Sequence, residues 1–301
     1  MVRLFHHMFF LLFFFFAVDA PAERGVDLAV RGKCVEAMPL LDQSMRDANV
    51  TRETKRMVST AGVRCSMLLN RQNDAMSYLG WLQEAFPGDP EVLFLAAHMF
   101  SDLSDRNARQ LLNTAPGNPL VIELNAENFE KHGETGKAVA EYRVLLGRVP
   151  DKPGIHYRIG GLLLQQPGEA RKEFEAELKI NPDDAGSEYY LGDIARQDSD
   201  VQDAIEHFKH ATDLYPAFAE AWTGLGKTLL DSGKAADAVA PLESAAKLAP
   251  DNPTVHLALA TAYQRIGRKE DAAREFALQK STAEKLNRTT TTLRKNVSGV
   301  Q

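Results

Sequence analysis

The chain predicts an all-α fold, a solenoid of stacked antiparallel helix pairs, and three observations carry that expectation. From Ala219 to Pro250, apolar and small residues recur at helical spacing: Trp222, Leu225, Gly226, Leu229, Ala238, Leu242 and Ala245. That is the stripe of two amphipathic helices. His256, Leu259, Ala260, Tyr263, Gly267, Ala272 and Phe276 repeat the pattern 34 residues later, a period that marks stacked helical hairpins. Gly233 stands between the two helices and Pro250 after the second, a turn former and a helix stop where each is needed.

In chain order, residues 1–22 differ from the rest and residues 23–118 are a worn version of the repeat. Val26–Arg31 gives a short helix, Gly32 a turn, and Cys34–Asp47 a second helix in which Ala37 and Leu41 hold the places of Ala238 and Leu242. Pro39 inside that helix, and Pro241 in the reference repeat, each remove a backbone donor. The next hairpin spans about Arg52–Pro87, with Thr51 as N-cap, Asn70 at the turn, and Ala75, Leu79 and Leu82 on the packed face. A third, short hairpin is expected over Pro90–Pro116, its second helix at about Asp105–Asn113.

The array becomes regular over residues 119–286. The fourth unit carries Ile122, Ala126, Phe129, Gly133, Ala138 and Tyr142; the fifth Ile159, Gly160, Leu163, Ala170 and Phe174, with a tighter turn at Gln166-Pro167-Gly168. Leu191, Gly192, Ala204, Phe208 and Ala211 mark the sixth. In the eighth, Tyr263 and Ala272 keep the pattern but the closing proline is gone, so a long polar last helix is expected to about Asn287, as a solenoid end requires. Residues 287–301 are threonine-rich and basic and read as a disordered tail.

The order aromatic, Leu-Gly, aromatic or Leu, Ala, Phe or Leu, Ala and Pro resembles the tetratricopeptide repeat. The small residues of the motif, here Gly226 and Ala238, let two helix backbones approach while larger residues fill the flanks. The resemblance implies a right-handed superhelix whose first helices line an inner groove that takes extended peptides or partner helices. Carried onto this chain, the groove positions include Glu123, Glu127, Tyr157, Arg158, Gly161, Tyr189, Tyr190, Asp193, Thr223 and Lys227, with Arg196 and Arg265 one turn on. Tyr157, Arg158, Tyr189, Tyr190 and Arg196 are of the types that dominate binding hot spots. Tyrosines between repeats also serve packing alone. The chaperone-docking subset of the family needs Lys and Asn where Glu123, Glu127 and Asp193 stand, so a peptide C-terminus is not the expected ligand.

Arg3, the apolar run Phe9–Val18 and the small residues of Val18–Ala22 give residues 1–22 the form of a bacterial-type secretory signal peptide. The apolar core is shorter than the roughly 20 residues a membrane span needs. No cysteine follows closely enough for lipid attachment, so a periplasmic or secreted protein without a membrane span after cleavage is expected. Export brings an oxidising compartment, and the antiparallel helices holding Cys34 and Cys65 bring these two cysteines, the only ones in the chain, to adjoining ends. A disulfide is expected, against the alternative of two buried thiols; α-carbons farther apart than about 7 Å would exclude it.

A net charge of −6, from 35 Lys and Arg against 41 Asp and Glu, offers no basic excess for nucleic acid. No catalytic set is present and no cofactor is expected. His207 and His210 lack the His-Glu-x-x-His spacing and flank the core position Phe208, so both are expected to face solvent and no metal site is assigned. Gly160-Gly161 and Gly224–Gly226 lie inside helices, where they serve packing and not phosphate binding. The reading is a non-catalytic protein-interaction scaffold of the cell envelope with protein or peptide partners. Its alternatives are an accessory subunit of an envelope enzyme or of a secretion or polysaccharide-synthesis machine, and a structural spacer.

Overall fold

The computed structural model describes residues 20–298, with side chains for 21–291. Fifteen helices and no strand stand among the described residues. The chain divides into two compact units, Met1–Pro116 and Gly117–Gln301. The expected leader falls largely outside the described residues; at its end, α1 (Ala20–Val30) already begins, and Ala22 is 1% exposed within the core of unit one.

Unit one continues with α2 (Cys34–Arg46), α3 (Arg52–Leu68), α4 (Gln72–Ala85) and α5 (Pro90–Thr114). Thr51 caps α3, its hydroxyl oxygen accepting from the Thr54 N–H at 3.1 Å, and Asn70 turns the chain into α4 at a φ of 56°. Met38, Leu41, Val58, Leu79 and Leu82 form the core together with the buried Cys34 and Cys65, whose α-carbons stand 5.1 Å apart, within disulfide reach. The short hairpin expected over residues 90–116 is instead the single 25-residue helix α5. Residues 101–105 hold no Gly, Pro or Asn to break it, and Arg106 pairs with Asp102 across that stretch at 2.7 Å.

Unit two is a solenoid of five hairpins: α6 (Pro119–Lys131) with α7 (Thr135–Leu146), α8 (Ile155–Leu162) with α9 (Pro167–Ile180), and α10 (Ala185–Gln197) with α11 (Val201–Leu214). The remaining two are α12 (Ala219–Asp231) with α13 (Ala235–Leu248), and α14 (Pro253–Arg265) with α15 (Lys269–Ser298). Gly233 turns α12 into α13 with a φ of 83°, and Ser199 takes the same left-handed conformation between α10 and α11 at 65°.

Most first helices carry a local cap, as Asn118, Asp184 and Asn252 show. Helix α8 has none. The fully buried Glu177 of α9 reaches back instead: its Oε1 accepts from the Gly154 N–H at 2.7 Å and its Oε2 from the Tyr157 N–H at 3.3 Å. A carboxylate at a helix N-terminus satisfies orphan donors and meets the positive end of the helix dipole.

Aromatic and leucine side chains seated on glycines join the helices. Phe208 of α11 is fully buried between Gly192 of α10 and Gly224 of α12; a Cβ would come within 2.9 Å of its ring at Gly192 and 2.5 Å at Gly224. Gly226 was expected to let backbones meet at Ala238; the space over it is filled by the Leu242 side chain, whose Cγ would stand 2.4 Å from an added Cβ. Ala238, Leu242 and Ala245 are all fully buried. Gly161, by contrast, faces open space and serves no packing.

The last helix also differs from expectation. α15 runs thirty residues to Ser298, through the stretch read as a disordered tail. Residues 269–298 contain no Gly or Pro, and the hydroxyls of Thr289, Thr290 and Thr291 donate to carbonyls one turn back, so threonines that read as coil-forming continue the helix. No helix among the described residues is long and apolar enough to cross a membrane.

Candidate functional site

The groove positions read from the sequence fall on the first helices of unit two, and the structure sorts them into three groups. Tyr157 and Tyr190 pack between repeats. Their rings lie 5.9 Å apart and Tyr190 stacks on Phe174 at 4.9 Å; Gly186 clears the space that Tyr157 fills. Burial, then the neighbouring Tyr190 and Asp184, push the Tyr157 hydroxyl above its usual pKa.

Arg158 and Arg265 are engaged within the fold. Arg158 spans Glu130 at 3.1 Å and Glu127 at 3.2 Å, both from α6, and Glu130 also accepts from the Tyr142 hydroxyl at 2.7 Å. Arg265 donates to the Leu230 carbonyl at 2.6 Å, a second donor for an acceptor at the end of α12 that also takes the Gly233 N–H at 3.2 Å. Glu123 is likewise held by Lys152 at 3.2 Å.

The third group forms a site. Tyr189, Asp193, Arg196 and Lys227 line one cavity of about 210 Å³, with Phe208 as part of its apolar wall and Thr223 and Glu220 beside Lys227. Tyr189 is fixed there by Phe218, at 5.0 Å between ring centres, and by Tyr190 at 5.2 Å. Burial, followed by the charge of Asp193, raises its pKa. Asp193 binds Arg196 at 2.7 Å and Gln197 at 2.8 Å. Lys227 is half-buried and makes no ion pair or hydrogen bond among the described residues. The cavity thus presents a tyrosine face, a neutralised Asp–Arg pair and one cation with unused donors.

A second set of polar side chains escaped the sequence reading. With Gly160, Gly192, Gly226 and Ala260 in register, His156, Glu188, Trp222 and His256 share one position, and Glu173, His207, Pro241 and Glu275 share another. His156 meets Glu173 at 2.6 Å, His207 meets Glu188 at 2.5 Å and His256 meets Glu275 at 2.7 Å. The partners swap helices in the sixth unit, which hid the column. Trp222 substitutes in the seventh, donating to the Pro216 carbonyl at 2.9 Å as His256 contacts that of Pro250 at 2.8 Å.

His207 therefore does not stand free in solvent as expected, while His210 is exposed. His207 is half-buried against Glu188, and His210 lies 3.5 Å from the same carboxylate. The hydrogen bond to Glu188 raises the pKa of His207, against burial and Arg171, with Glu188 and Asp203 adding their charge. A histidine whose folded pKa is raised binds its proton more tightly when folded, so its contribution is complete below the unfolded value of roughly 6.5 and fades as pH rises through the folded value. The stability difference between the natural chain and His207→Gln, measured by urea unfolding, is expected to be larger at pH 5.5 than at pH 9. A difference independent of pH would contradict the assignment.

Two stretches, residues 164–217 and 229–284, match models of the tetratricopeptide repeat. These are tetratricopeptide repeats. The array is similar in fold to MamA from Desulfovibrio magneticus RS-1, with a TM-score of 0.51 and 18% identity over 56% of this chain and 96% of that one. It is also similar to YrrB, described as a TPR protein with an unusual peptide-binding site, with a TM-score of 0.50 and 16% identity over 58% of this chain and 91% of that one. Among curated proteins, the BBSome complex member bbs-4 of Caenorhabditis elegans is 24% identical over 246 residues, 76% of this chain. The chain spans about half, 52%, of the length of that relative.

Proposed function

We propose that the tetratricopeptide array is a non-catalytic protein-interaction scaffold, exported to the cell envelope by residues 1–22, that holds a partner segment in the cavity of unit two. The observation that carries this reading is Lys227, a half-buried ammonium with unused donors beside the tyrosine face of Tyr189. An aromatic wall with one unsatisfied cation suits a segment that brings an apolar side chain and a carboxylate or carbonyl together. YrrB, described by its peptide-binding site, supports the peptide reading. The worm relative, a member of a complex, supports a role as one subunit of a larger assembly.

The export part of the proposal goes with the cysteine pair, since Cys34 and Cys65 stand at disulfide distance and such bonds persist in oxidising compartments. The scaffold part is tested by affinity capture from an envelope extract with the natural chain, Tyr189→Ala and Lys227→Glu. Both variants are expected to retain helical circular dichroism and to lose about tenfold of a specific captured partner. Equal capture by all three would overturn the assignment of this cavity.

A further inference from the structure

Helix α5 starts as the first helix of a hairpin, and no second helix follows it before α6. Its N-cap Asp89 and the following Pro90 match Asn118-Pro119 of α6 and Asn252-Pro253 of α14. That register sets Leu93 with Ile122 and His256, Ala97 with Ala126 and Ala260, and Phe100 with Phe129 and Tyr263. The position of Ala97 is the one at which Phe174 lies over Gly160 and Leu242 over Gly226, a second helix seated on its first. In α6 and α14 it is closed, Ala126 and Ala260 being 0% exposed. In α5 the same face is open: Leu93 is 55% and Phe100 47% exposed, and Ala97 is on the surface.

The stretch expected to turn back continues this face instead. Leu93, Ala97, Phe100, Ser104, Ala108 and Leu111 recur at steps of three or four, so they form one stripe over about five turns of α5. None of the six is charged. The side toward the core carries the buried Val92, Ala96 and Met99. Arg106 also turns that way, meeting Asp102 at 2.7 Å and Asn70, at the turn between α3 and α4, at 3.1 Å.

The stripe is complementary to itself. A second α5 laid antiparallel, with a two-fold axis beside residue 102, sets Leu93 against the partner copy's Leu111 and Phe100 against the partner copy's Ser104. Ala97 then lies beside the partner copy's Ala108, small residue on small residue, which lets the backbones approach. Residues 103–114 of each copy cover residues 90–101 of the other, the place that a second helix holds in the other hairpins. The hairpin left open within one chain is closed between two, an exchange of one element between identical copies. A helix of another protein would fit the open seat but leave the rest of the stripe unmatched, whereas this pairing uses all of it. Five turns of paired helix, with the exposed Phe94 and Leu112 at the margin, bury on the order of 1,000 Å² in total, the lower end for a specific interface and the size of a reversible one.

We infer that α5 is a two-fold dimerisation helix, each copy supplying the second helix that the third hairpin of the other lacks. This contact is independent of the cavity at Lys227.

Sedimentation velocity on the full chain, from about 1 to 200 µM to suit an interface of this size, tests it. The natural chain should pass from monomer to dimer across that range. Phe100→Lys and Ser104→Glu should each weaken association about tenfold or more, with helical circular dichroism and melting temperature unchanged because both side chains are exposed. Mixed in equal amounts, these two variants should dimerise again, since the register sets the new ammonium of one chain against the new carboxylate of the other. Lys227→Glu should dimerise as the natural chain does. A natural chain that stays monomeric throughout, a dimer indifferent to Phe100→Lys, or an equal mixture that remains monomeric would each overturn the inference.

Discussion

Phe208→Ala is expected to destabilise unit two by about 3–5 kcal/mol, the range for removing a fully buried phenylalanine from a close-packed core. The ring fills the space between Gly192 and Gly224, on helices of successive repeats, so its loss leaves a void that two helix backbones must close. For a unit of this size the melting temperature should fall by roughly 10 °C, read by calorimetry. Gly224→Ala attacks the same contact from the other side. Its Cβ would come 2.5 Å from the Phe208 ring, and overpacking of this kind costs about 1–3 kcal/mol. A melting point within 2 °C of the natural chain's for Phe208→Ala would mean that the repeats are held by something other than aromatic side chains on glycine seats.

Cys34→Ser and Cys65→Ser are each expected to lower the stability of unit one by about 3.5 kcal/mol, and the double substitution by no more than either alone. The figure follows from closing a loop whose ends are 31 residues apart in the chain-entropy account. Dithiothreitol should shift the denaturation midpoint of the natural chain by the same amount and leave the double variant unmoved. A natural chain insensitive to reductant would refute the bond, whatever the 5.1 Å separation of its α-carbons. Unit two contains no cysteine and should respond to none of these changes.

The repeat was legible where its signals are local. Gly226, Ala238, Leu242 and the turn glycine Gly233 fall within one hairpin, and each acts through steric rules that a single stretch of chain displays. The third unit misled because a lost turn leaves no mark: residues 101–105 contain no Gly, Pro or Asn, and repeat spacing alone suggested a hairpin where α5 runs on. The candidate site was half legible. Position in the motif brought Tyr189, Asp193, Arg196 and Lys227 to one cavity, but it could not show that Arg158 is already matched by Glu127 and Glu130, carboxylates 31 and 28 residues earlier in the chain. The histidine column stayed hidden for a related reason, since His207 and Glu188 exchange helices relative to their counterparts.

The reach of Glu177 back to the start of α8 sets an order of events during synthesis. A helix of eight residues is too short to persist alone in water, and its leading amides are held by a side chain 23 positions downstream. As the polypeptide leaves the ribosome, the cap on the segment bearing Tyr157 and Arg158 is therefore completed only after residue 177 has emerged. In this hairpin the later-made rod supplies the cap of the earlier one.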